Sequence, residues 1–95
     1  HPHIKLLFAS NDMMAIGAIK YLQASRRSGV MVAGFDALEE AIVEIKAARM
    51  VATIDQQAAE QGYQGIALAV RLTQGSTVPT VTTINTRLIT ANSAP

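Results

Sequence analysis

Three apolar runs of strand length in this chain each end on a polar residue, and each is followed by a helix-like stretch. Ile4 to Ser10 leads into Asn11, Val30 to Phe35 into Asp36, and Val51 to Asp55 into Gln56. A last extended stretch, rich in Thr, Val and Ile, runs from Pro79 to about Thr90. The order β-α-β-α-β-α-β predicts an α/β fold with a mostly parallel sheet flanked by helices, joined by right-handed crossovers. If the strands are parallel, the three polar residues meet at one edge of the sheet. That edge is where open α/β sheets bind ligands.

Local signals place the helices. Asn11 or Asp12 can cap the first, whose apolar face is Ala15, Ala18, Ile19 and Leu22. Gly29 is a stop signal after Arg26 and Arg27, two cations that suit a helix C-terminus. Asp36 and Glu39 fit the acidic form of a capping box ahead of Leu38, Ala41, Ile42 and Ile45. The third helix is predicted over 57–74, with Gly75 closing it. Gly62 and Gly65 inside it cost about 1 kcal/mol each relative to Ala, which predicts close backbone packing there as compensation. Phe8 and Phe35 sit within apolar strands and are expected in the core.

At 95 residues the chain is one domain or less. Apolar residues make up 49% and charged residues 16%, the balance of a packed piece and not of a disordered one. A net charge of +1 gives no electrostatic case for nucleic acid or an anionic membrane. The absence of cysteine excludes a thiol nucleophile, a Cys-based metal site and disulfides. No apolar run reaches the length of a membrane span, and no signal peptide is visible. The opening His1-Pro2-His3 lies almost directly against a strand, as expected of a piece cut from a larger protein.

Asn11 and Asp36 are ordinary helix caps in their own right, and Gln56 taken alone is a solvated loop residue. Their convergence carries more than any one of them. A polyol hydroxyl both donates and accepts; Asp36 supplies acceptors, while Asn11 and Gln56 supply both. A carboxylate receiving hydroxyl protons makes strong, charge-assisted bonds, and such a site rejects analogues that lack the hydroxyl. His1 and His3 have no third ligand at a fixed spacing, so no metal site is expected. Ser10 lacks a nucleophile elbow, and no Gly-rich phosphate loop occurs. Neither an enzyme nor a cofactor is indicated.

The segment Phe8-Ala9-Ser10-Asn11-Asp12-Met13-Met14-Ala15, the segment Val32-Ala33-Gly34-Phe35-Asp36 and the block from Ile45 to Gln56 resemble the type I periplasmic sugar-binding proteins of the ribose-binding kind. The resemblance extends through Gly62 and Gly75-Ser76-Thr77-Val78-Pro79, and so covers essentially the whole chain. It implies that Asn11, Asp36 and Gln56 hydrogen-bond sugar hydroxyls, the same three residues the sheet edge selects. It implies a two-lobe fold, with this chain as its last third. Residues 1–56 would belong to the C-terminal lobe, 57–86 to the other lobe, and 87–95 to a return crossing and tail.

The implied protein binds a monosaccharide, a pentose or similar, by hinge closure and hands it to an ABC permease. It would be a monomer in the periplasm, or a lipid-anchored extracellular protein, with a signal peptide in its precursor. The aromatic residues and arginines that grip the sugar ring in this family would lie upstream, so these 95 residues alone are expected to bind sugar poorly. Ala48-Arg49 stands where the family often has a Gly turn. Two alternatives come from other classes. One is the effector-sensing domain of a LacI-type repressor, which shares the Asn-Asp and Gly-Phe-Asp elements and would follow a basic helix-turn-helix. The other is a small α/β enzyme acting on a sugar, which would show turnover that depends on Asp36.

Overall fold

A computed structural model describes residues 3–95. Strand β1 (Leu6–Phe8) precedes helix α1 (Asp12–Ala24), strand β2 (Met31–Ala33), helix α2 (Glu39–Lys46), strand β3 (Thr53–Asp55), helix α3 (Ala58–Thr73) and strand β4 (Arg87–Ile89). β1 and β2 are parallel, with Leu7 opposite Val32. Backbone bonds carry the parallel ladder on to β3: Val51 donates to the Val32 carbonyl at 2.8 Å, Gly34 to Ala52 at 2.9 Å and Asp36 to Ile54 at 2.9 Å. β4 runs antiparallel to β3, pairing Asp55 with Arg87. The expected extended stretch from Pro79 therefore narrows to Arg87–Ile89, and 79–86 carries no strand.

The core lies between one face of this sheet and the helices α1 and α2. Ala15 and Ile19 from α1 meet Val32 from β2, Ala41 and Ile45 from α2, and Met50. Burying an Ile or Met side chain contributes roughly 1.5–3 kcal/mol, so this cluster is the main stabilising unit. The opposite face is open. Leu6, Phe8 and Met31 project from it, and Phe8 is 61% exposed, against the expectation that it lies in the core. The reason is period 2: Leu7 and Val32 face the helices, so their neighbours on each strand face away. Phe35 is half-buried.

Helix ends differ from expectation in instructive ways. α1 stops at Ala24, and Arg26 takes the left-handed conformation (φ 56°) while the Arg27 amide closes onto the Leu22 carbonyl. Both arginines thus lie beyond the last turn, where backbone closure and not side-chain charge completes the end. α2 begins at Glu39 with Leu38 as its cap residue, so the Asp36–Glu39 capping box does not form. Asp36 and Ala37 instead have φ of 124° and 58°, a sharp turn that takes Asp36 away from the helix axis. The turn at Ala48-Arg49 is kept with Ala48 at φ 62°, where a glycine would be unstrained.

α3 buries none of its residues. Gly62 and Gly65 have nothing within reach of an added Cβ, so the predicted close packing around them is not formed among the described residues. Gly75 (φ 80°) closes the helix as expected, with Ser76 donating to the Arg71 carbonyl at 3.0 Å. The chain is consequently elongated. Its radius of gyration is 17.7 Å, where about 13 Å is usual for a compact chain near this length.

Candidate ligand-binding edge

The C-terminal ends of β1, β2 and β3 present Asn11, Asp36 and Gln56 at one edge, and all three side chains are half-buried. The Asp12 amide donates to the Phe35 carbonyl at 2.9 Å, which draws the start of α1 against the end of β2. Asn11 is the cap of α1, its Oδ1 accepting from the Met14 amide at 2.9 Å. Its amide nitrogen keeps two donors to offer elsewhere. Gln56 Nε2 donates to Asp36 Oδ1 at 2.7 Å, so the second and third sequence-selected residues touch directly. Among the described residues no hydrogen bond joins Asn11 to either of them. The edge as a whole carries one carboxylate flanked by two amides, a mixed donor and acceptor set suited to vicinal hydroxyls.

Beneath this edge lies a buried polar network that sequence reasoning missed. Asp12 and Thr53 are both fully buried. The Thr53 hydroxyl donates to Asp12 Oδ1 at 2.7 Å and accepts from the Ala37 amide at 3.2 Å. Asp12 Oδ2 accepts from the Leu38 amide at 2.8 Å. The carboxylate occupies the space above Gly34, where an added Cβ would overlap Asp12 Oδ1. Gly34 therefore admits the carboxylate into the sheet edge. The available signals were a Gly inside a strand and an Asp directly after the cap residue, and neither names its partner.

The chain leaves the edge through a second polar cluster. Gln57 has φ 56°, and Asp55 Oδ1 accepts from its amide at 2.8 Å. Asp55 Oδ2 accepts from Arg87 at 2.7 Å, and Gln57 Nε2 donates to the Asn85 carbonyl at 2.6 Å. The Gln57 amide first, and then Arg87, hold the Asp55 carboxyl below the ordinary carboxylate range. The segments 55–57 and 85–87 are thereby tied side by side. His1 lies outside the described residues, and among those described no group of three metal-ligating side chains gathers. No described helix is long and apolar enough to cross a membrane.

Residues 1–77 match the family model described as a periplasmic binding protein domain. The D-ribose/D-allose-binding protein of Pseudomonas aeruginosa is 42% identical over 78 residues, covering 81% of this chain and 24% of that protein. The ribose import binding protein RbsB of Salmonella typhimurium is 33% identical over 89 residues, covering 94% of this chain and 30% of that protein. The chain thus spans under a third of the length of these relatives. The crystal structure of an ABC transporter periplasmic solute-binding protein from Actinobacillus succinogenes, with bound D-allose, superposes at a TM-score of 0.93 with 29% identity. That match covers 99% of this chain and 33% of that one. With the family model matching residues 1–77 and relatives above 30% identity covering most of its length, the chain belongs to the periplasmic binding protein domain family.

Proposed function

We propose that the protein carrying this chain binds a monosaccharide, a pentose or a similar polyol, and that Asn11, Asp36 and Gln56 hydrogen-bond its hydroxyls. The observation that carries the reading is the 2.7 Å bond from Gln56 to Asp36, at the edge that also presents Asn11. It makes one polar surface from the ends of neighbouring strands. Asp36 Oδ2 and the free atoms of both amides stay available to a ligand. The sugars named for the relatives, ribose and allose, are of the matching chemical class. The site needs no cofactor or metal, and no bond is made or broken.

Residues 1–56 form part of one lobe, 57–86 lie on the other, and 87–95 return to the first. An α3 with no buried residue supports this division, because such a helix gains its burial from elements outside this chain. The tied segments Asp55–Gln57 and Asn85–Arg87 would be part of the crossing between lobes. The sugar would bridge the lobes and favour a closed form through contacts that the open form lacks. An ABC permease would take the sugar from that closed form, at the outer side of a membrane: in the periplasm, or on a lipid-anchored extracellular protein. The full-length protein would act as a monomer.

Calorimetric titration of the full-length protein with D-ribose and D-allose tests the reading. Saturable binding of at least one, with the sugar recovered unchanged, is expected. No binding of either, or conversion of the sugar to a product, contradicts it.

A further inference from the structure

We propose that Asp12 is a positioning residue for sugar binding: its buried carboxylate, working with the Thr53 hydroxyl, holds the 36–38 turn so that Asp36 faces the ligand. The proposal rests on the reading of Asp36 as a sugar ligand. Asp36 and Ala37 are consecutive non-glycine residues at positive φ (124° and 58°), a conformation that persists only when its surroundings enforce it. Two of the turn's backbone donors are claimed by side chains from other elements. The Leu38 amide goes to Asp12 at 2.8 Å, and the Ala37 amide goes to Thr53 at 3.2 Å. The Asp36 amide goes to the neighbouring strand at Ile54, at 2.9 Å. Every amide of the turn is therefore fixed, and the Asp36 side chain is left pointing along the edge to Gln56.

The chemistry demands a carboxylate at position 12. Both of its oxygens accept, one from a hydroxyl and one from an amide. An asparagine in its place has one accepting oxygen. If its NH2 group meets the Leu38 amide, two donors oppose each other. If it meets Thr53 instead, the hydroxyl proton loses its acceptor. Either way a buried polar group is orphaned, and the turn is the part free to yield. A cap or a plain core residue would have no such dependence on the acceptor count, and Asn11 already caps α1.

The test is a double-mutant cycle in the full-length protein, read as affinity for whichever of D-ribose and D-allose binds the wild type more tightly. Melting temperatures are recorded beside it. Asp12→Asn is expected to weaken binding about ten-fold or more, the effect of orphaning one buried group. In an Asp36→Ala background the same change is expected to have less than about three-fold effect, because it acts through Asp36. Thr53→Val is expected to weaken binding as Asp12→Asn does, and Thr53→Ser, which restores the hydroxyl, to recover most of the loss. These Thr53 variants also decide the matter where Asp12→Asn fails to fold. A lowered melting temperature with affinity within about two-fold of wild type overturns the proposal, as does equal weakening in both backgrounds. An Asp36→Ala variant with unchanged affinity removes Asp36 from the site, and the proposed role of Asp12 falls with it.

Discussion

Gln56 donates its side-chain amide to the carboxylate of Asp36 across 2.7 Å, joining residues 20 positions apart at the ends of two neighbouring parallel strands. The bond engages one carboxylate oxygen, and the other accepts no hydrogen bond among the described residues. If the two side chains contact a sugar as proposed, part of their ordering would precede its binding.

Asp36→Ala in the full-length protein removes the only carboxylate among the three proposed contacts and strands the Gln56 amide. Sugar binding is expected to weaken by about 2 kcal/mol or more, roughly 30-fold. Isothermal titration calorimetry measures this directly, and an unchanged dissociation constant excludes Asp36 from contact.

Gly34→Ala places a methyl group against Asp12 Oδ1, with Ala15 Cβ at 3.2 Å and Asp12 Cα at 3.3 Å on the other sides. Backbone and a buried carboxylate have no room to yield. The expected loss of stability is about 2–3 kcal/mol, in the upper range for overpacking. Urea unfolding of the full-length protein checks it; a change under about 0.5 kcal/mol contradicts the packing described here.

Ala48→Gly relieves a positive φ of 62° at the turn that follows α2. Left-handed backbone costs a non-glycine residue about 1–2 kcal/mol, and part of the relief is lost to the greater freedom of glycine in the unfolded chain. A net gain of about 0.5–1 kcal/mol is expected in the same unfolding experiment. A loss of stability shows that the Ala48 side chain has a packing role.

The Asp55–Arg87 pair makes the tie between β3 and β4 acid-sensitive. Because the folded pKa of Asp55 is lowered, its contribution is present above the unfolded pKa and is lost as pH falls through the folded value. Arg87 is largely exposed and screened by solvent, so the contribution is under about 1 kcal/mol. Asp55→Asn is therefore expected to reduce stability modestly at pH 7 and to leave it unchanged well below pH 3. An equal effect at both pH values assigns the loss to packing and not to charge.

The edge residues were legible in the sequence for a physical reason. A strand that ends on a polar residue ahead of a helix has few other places to put that residue, so Asn11, Asp36 and Gln56 followed from pattern alone. The exposure of Phe8 is not legible, because an apolar strand looks the same whether one face or both are covered, and in this chain only the Leu7 face is. The Asp36 capping box fails because Asp-x-x-Glu carries no record of φ, and the turn's positive φ removes the side chain from the helix end. The Asp12–Thr53 bond was illegible for a different reason. It spans 41 positions and depends on a third residue, Gly34, making room. Local pattern carries the elements; long-range polar pairing appears only when the chain is folded.

The most direct measurement is a crystal structure of the full-length protein with its tightest-binding monosaccharide. The Asn11 amide nitrogen, an Asp36 carboxylate oxygen and the Gln56 amide are each expected within about 3.2 Å of hydroxyls on one and the same sugar. A sugar seated elsewhere, with Asp36 and Gln56 still bonded only to each other, would contradict it.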